Sequence, residues 1–116
     1  MTALDKYNEE QRKLRQVRGS EAKLAGYAFE YKVMAHQEKC SVWAKRIFSD
    51  NGFCDVISLK KDGSVWYISC KKNAYWHPSE LKVLEQMKEK FSNMRGNHVV
   101  KLAYYKTQKE WVMSTF

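Results

Sequence analysis

Hydrophobic and polar positions change period along this chain, and each change marks an element. From Glu21 to Gln37 apolar side chains recur at helical spacing, with Ala22, Ala25, Phe29 and Val33 on one face. Ser20, after Gly19, can cap that helix. Glu30 borders the apolar stripe, which puts a carboxylate at the rim of the core. From Ser41 the pattern turns to strands: Ser41 to Phe48, then Cys54 to Lys60 beyond the Asn51-Gly52 turn signal. Lys61-Asp62-Gly63-Ser64 reads as a hairpin turn, because Asp-Gly suits positive φ, and Val65 to Lys71 returns as a third strand. Alternation places Trp66, Ile68 and Cys70 on one face of it and Tyr67, Ser69 and Lys71 on the other. Asn73 to Pro78 is an aromatic loop. Ser79 is the expected cap of a second helix reaching about Arg95, with Gly96 as its stop and Leu84, Met87, Phe91 and Met94 as its buried stripe. Val99 to Tyr105 and Trp111 to Thr115 are the expected closing strands. This order predicts one α/β domain over residues 20–116, a central mixed five-stranded sheet flanked by helices in the order α-β-β-β-α-β-β. Residues 1–19, dense in charge, read as a helix or arm ahead of it.

Bulk properties narrow the classes. A chain of 116 residues with 44% hydrophobic and 14% aromatic content suits one folded domain and excludes wholesale disorder. Its 21 basic and 13 acidic residues leave a net charge of +8, which favours a polyanionic partner through counterion release. No apolar run approaches the roughly 20 residues of a membrane-spanning helix, and the polar N-terminus is no signal peptide. Cys40, Cys54 and Cys70 are odd in number and widely spaced, which points to reduced thiols and a cytoplasmic setting (host cytoplasm for a viral protein). His36 four residues before Cys40 lacks the second close pair that a zinc site needs.

The candidate chemistry lies in Glu30, Asp55 and Lys71. Strands disfavour Asp, so Asp55 at a strand start asks for a reason. Lys71 shares its strand face with Ser69, whereas its rival Lys72 does not. Carboxylates can cage Mg²⁺, and a lysine can stabilise charge developing on a phosphate. Arg46 and Ser49 are candidates for phosphate contact or loop shaping. Tyr75, Trp76 and His77 can stack on bases or cap the sheet. Arg15 and Arg18 in the arm, with Lys72, add basic candidates for a DNA surface.

Gly26-Tyr27-Ala28-Phe29-Glu30, Arg46-Ile47-Phe48-Ser49, Asp55 and Lys71 resemble, in order and approximate spacing, motifs of the PD-(D/E)XK nuclease superfamily, most closely the archaeal Holliday junction resolvases. The resemblance covers roughly residues 20–116. It implies a restriction-endonuclease-like domain and a Mg²⁺-dependent endonuclease (Mn²⁺ substituting) that cuts branched DNA symmetrically as a homodimer. The chain departs from the pattern at Ser69, where those resolvases carry a metal-binding glutamate, and at Cys54, where they carry a proline. Some type II restriction enzymes read Ser/Thr-x-Lys and draw the missing acid from the next helix. Thirteen residues separate Lys71 from Glu85, which makes Glu85 the relocated acid that the resemblance implies. The implied metal set is then Glu30, Asp55 and Glu85, with Lys71 catalytic and Ser69 in support. Two other readings stay open: a nuclease fold reduced to DNA binding, and a nicking, repair or restriction-like endonuclease.

Overall fold

A computed structural model describes residues 2–3, 26–47 and 52–116 of the chain. Residues 26–40 form helix α1. Strands β1 (Trp43–Arg46), β2 (Val56–Leu59) and β3 (Val65–Lys71) follow, then helix α2 (Pro78–Ser92), β4 (His98–Tyr105) and β5 (Trp111–Thr115). The strands make one sheet in chain order, antiparallel throughout except that β3 and β4 run parallel across the α2 crossover. The fold is therefore α/β with a five-stranded mixed sheet, as the pattern predicts. Among the described residues no helix is long and apolar enough to cross a membrane. The arm expected over residues 1–19 (Thr2 and Ala3 apart), the Ser20 cap and Asn51 lie outside the described residues.

Each face of the sheet carries its own helix. Phe29 and Val33 of α1 pack on Val56, Ile68, Cys70 and Ala103. On the other face Leu84 and Phe91 of α2 pack with Trp76 and Val100. Phe91 stacks on Tyr67 at 4.4 Å and on His98 at 5.3 Å, which pins the end of α2 across β3 and β4. The alternation expected for β3 holds: Ile68 and Cys70 join the α1 cluster and Tyr67 joins the α2 cluster. The hairpin also forms as expected. Gly63 adopts φ 87° and Asp62 Oδ1 accepts from the Ser64 amide at 2.9 Å.

Boundaries differ for physical reasons. Helix α1 runs to residue 40 rather than 37, because Gln37 continues the buried stripe of Phe29 and Val33. Its amide oxygen is satisfied by Ser58 Oγ at 3.1 Å and Lys60 Nζ at 2.9 Å. Helix α2 begins at Pro78, capped by His77 rather than Ser79; Pro suits the first helical turn, where its missing N–H costs nothing. It stops at Ser92, so Met94 is exposed instead of completing the buried stripe.

Candidate active site

An irregular step at Asp55 builds the site. Regular β2–β3 pairing ends with Val56 opposite Ile68. The Asp55 amide also bonds the Ile68 carbonyl at 2.8 Å, so two residues address one, the arrangement of a β-bulge. The Asp55 carboxylate meets the Cys70 amide, N to Oδ2 2.8 Å. The Glu30 carboxyl of α1 lies close enough to act on it electrostatically. Burial pushes the Asp55 pKa up to about 6; the Cys70 amide opposes this, Glu30 reinforces it and Lys71 pulls it down.

Glu30 is held from its other side. Arg46 Nε donates to Glu30 Oε2 at 2.5 Å, with the two side chains only 6% and 15% exposed. The Arg46 guanidinium lies over the rings of Tyr27 at 4.2 Å and Tyr31 at 5.1 Å. Those tyrosines are one helical turn apart on α1 and make a slot that orients the guanidinium. Arg46 is thus a positioning residue for Glu30, not an arginine turned outward toward a phosphate.

On the α2 face, Lys71 Nζ lies 2.7 Å from Glu80 Oε2. Glu80 occupies the third helical position of α2, and its Oε1 accepts from the His77 amide at 3.1 Å, closing a capping box. Burial disfavours the Glu80 charge, but Lys71 and the His77 amide outweigh it and hold the pKa below the usual range. Ser69 Oγ accepts from Trp76 Nε1 at 2.9 Å, and both side chains are buried. Asp55, Ser69, Trp76 and Glu80 line a pocket of about 240 Å³ floored by Phe53 and Leu84.

The structure brings Glu30, Asp55, Lys71 and Ser69 to one end of β3. It does not bring Glu85 there. The inner stripe of α2 is Leu81, Leu84, Met87 and Phe91, and Glu85 points to solvent. The helix acid that lines the pocket is Glu80, one turn and a half earlier. Trp76 is buried against Ser69 rather than offered to a base, whereas Tyr75 is 59% exposed. Lys72 is exposed, its ammonium 5.9 Å from the centre of the Tyr105 ring. Ser49, Arg15 and Arg18 lie outside the described residues. Glu80 and Tyr31 are not singled out by the sequence, and Tyr27 enters it only as part of the Gly26–Glu30 motif. An acid in the first turn after Pro78, and two tyrosines flanking Glu30 at helical spacing, were the available signals.

Two neighbouring carboxyls, one with its pKa raised to about 6, mark a point where like charges crowd. Mg²⁺ commonly uses one or two carboxylates and keeps its waters, so Glu30 and Asp55 fit such an ion. The expected trio with Glu85 is not assembled, and among the described residues no three His, Cys, Asp or Glu groups cluster as metal ligands. Burial, followed by the neighbouring Asp55, raises the Cys54 thiol to about 12 and the Cys70 thiol likewise upward, so both stay protonated. Comparison with protein-family models, with curated proteins and with solved structures finds no match to this chain.

Proposed function

We propose that this chain is a metal-dependent endodeoxyribonuclease acting on branched DNA, most concretely a dimeric resolvase of four-way junctions. The observation that carries the reading is the meeting of Glu30 and Asp55 beside Lys71 at one end of a mixed sheet. Three lysines nearby support it. Lys72 and Lys106 line a groove of about 770 Å³ with Tyr105, and Lys32 Nζ reaches the Tyr105 hydroxyl at 3.3 Å. Such a groove suits a phosphate backbone.

In this reading Glu30 and Asp55 would hold Mg²⁺, or Mn²⁺ in its place. The ion, when bound, neutralises phosphate charge and acidifies a water. Asp55 has to release its proton to serve, so protons and the ion would compete for it and acid would weaken the site. Arg46 keeps Glu30 aimed at the shared point. Lys71 donates to a phosphate oxygen where charge develops, exchanging its contact with Glu80 for one with substrate. Glu80, rather than the expected metal ligand Glu85, is the α2 acid that stands beside Lys71. Symmetric cutting across a junction calls for two copies, hence a homodimer, and a cytoplasmic setting accords with the reduced thiols.

The Ser69–Trp76 hydrogen bond favours a second reading, a nuclease fold retained for DNA binding alone. A buried hydroxyl already satisfied by an indole is no replacement for a metal-binding carboxylate. Cleavage of a synthetic four-way junction and a linear duplex, with Mg²⁺ and with EDTA, separates the two. Mg²⁺-dependent junction cutting that Asp55→Asn lowers about 100-fold or more, with binding retained, is the expected result. Undiminished cutting by Asp55→Asn would overturn the site, and tight binding without cutting by the wild type would select the second reading.

A further inference from the structure

A second cavity, of about 520 Å³, lies under the C-terminal half of α1, toward the opposite end of the strands from Asp55. His36, Lys60, Trp66, Lys101, Trp111 and Met113 line it. Lys60 Nζ sits 4.2 Å and Lys101 Nζ 4.3 Å from the centre of the Trp66 ring. Both ammonium groups are held by uncharged oxygens. Lys60 donates to Gln37 Oε1 at 2.9 Å and Ser41 Oγ at 2.9 Å, and Lys101 to Thr115 Oγ1 at 2.6 Å. Among the described residues neither lysine pairs with a carboxylate. Gln37, 1% exposed, anchors Lys60 from within the core, so this cationic edge is built rather than adventitious.

Two positive groups converge on one aromatic ring; Asp62 of the adjoining hairpin acts on Lys60 but forms no ion pair with it, and an anion relieves the repulsion of the two ammonium groups. The remaining wall is aromatic and apolar: Trp111, edge-on to His36 at 5.2 Å, and Met113. An anion attached to a flat apolar body matches both halves, and the volume falls in the range of small-ligand sites. We infer that this cavity binds a nucleoside phosphate, its phosphate between Lys60 and Lys101 and its base against Trp111 and Met113. The ligand is either a free nucleotide or one nucleotide of a single strand. The site uses none of the Asp55 cluster, so it stands independently of the cleavage reading.

Titration of the full chain with deoxyadenosine monophosphate, ribose 5-phosphate and inorganic phosphate, followed by tryptophan fluorescence and calorimetry, tests it. The nucleotide is expected to bind about fivefold or more tightly than ribose 5-phosphate, and Lys101→Met to weaken it about tenfold. Trp111→Leu is expected to erase the preference for the base while leaving phosphate binding. A short oligothymidylate, tested in Asp55→Asn so that it stays intact, distinguishes the sources. Competition with the mononucleotide assigns a strand, and its absence assigns a free nucleotide. Equal affinity for nucleotide and ribose 5-phosphate, no effect of Lys101→Met in a variant that melts like wild type, or no binding at millimolar nucleotide would each overturn the assignment.

Discussion

The two ends of β3 handle charge in opposite ways. At the Lys71 end most charges lean on an opposite charge or an amide: Arg46 on Glu30, Lys71 on Glu80, Asp55 on the Cys70 amide. At the Trp66 end Lys60 and Lys101 rest on a ring and on neutral oxygens; among the described residues neither forms an ion pair, and Asp62 of the adjoining hairpin acts on Lys60 without pairing with it. The first end is internally compensated except at the Glu30–Asp55 contact, where two acids meet. The second is a cationic pocket whose lysines form no ion pair among the described residues. On the readings proposed above, this difference would let the first end take a cation between the acids and the second an anion above the indole.

The sharpest way to break this contrast is Arg46→Met. It would leave the Glu30 carboxylate, 15% exposed, without its partner, and loss of about 3–5 kcal/mol in urea unfolding is expected. A loss below about 1 kcal/mol would show that the Lys71 end does not depend on paired charge. Asp55→Asn acts in the other direction. Its carboxyl has a native pKa of about 6 against an ordinary 3.8, so the native state binds the proton more tightly than the unfolded chain. Stability from this group is therefore fully present below about pH 4 and falls as pH rises to about 6. At pH 7 the amide is expected to stabilise the fold by roughly 1–3 kcal/mol, a gain that vanishes near pH 4. Urea midpoints at the two pH values check it, and an equal gain at both would refute the crowding of the acids.

Trp76→Phe probes the neutral link between the site and α2. It leaves the buried Ser69 hydroxyl without its donor, for an expected loss of about 1–2 kcal/mol. Combining it with Ser69→Ala is expected to recover part of that loss, and simple additivity would mean the pair is uncoupled. Lys101→Met is expected to change stability least, within about 0.5 kcal/mol, with any gain confined to low salt. A larger loss would mean that Lys101 holds the fold rather than waiting for a ligand.

How far the sequence could be read depended on the range of the forces involved. β3 and β5 occupy the spans their alternation predicts, and the Asp62-Gly63 turn closes as expected, because these features depend on near neighbours. The α2 start lies two residues earlier than the Ser79 cap predicts, because the His77 side chain does a job more often done by Ser or Thr. Glu85 was expected at the core border from Leu81 and Leu84 alone. The docked helix instead turns Leu84 and Phe91 inward, which leaves Glu85 outside and sets Glu80 against Lys71. The sequence offers Arg46 for phosphate contact or loop shaping, since nothing local announces that Glu30, sixteen residues earlier, will claim it.

Written along the chain are the order of elements, the two faces of β3 and a short set of candidate charged residues. Periodicity and turn chemistry act over a few residues and are written where they act. Only the tertiary structure decided which of those charges meet. It brought Glu30 to Asp55, spent Arg46 on holding Glu30, chose Glu80 over Glu85 and left Lys60 and Lys101 facing one indole. Such pairings depend on how helices settle on a sheet, and the energies that settle them come from burial at distant positions rather than from the charged residues themselves.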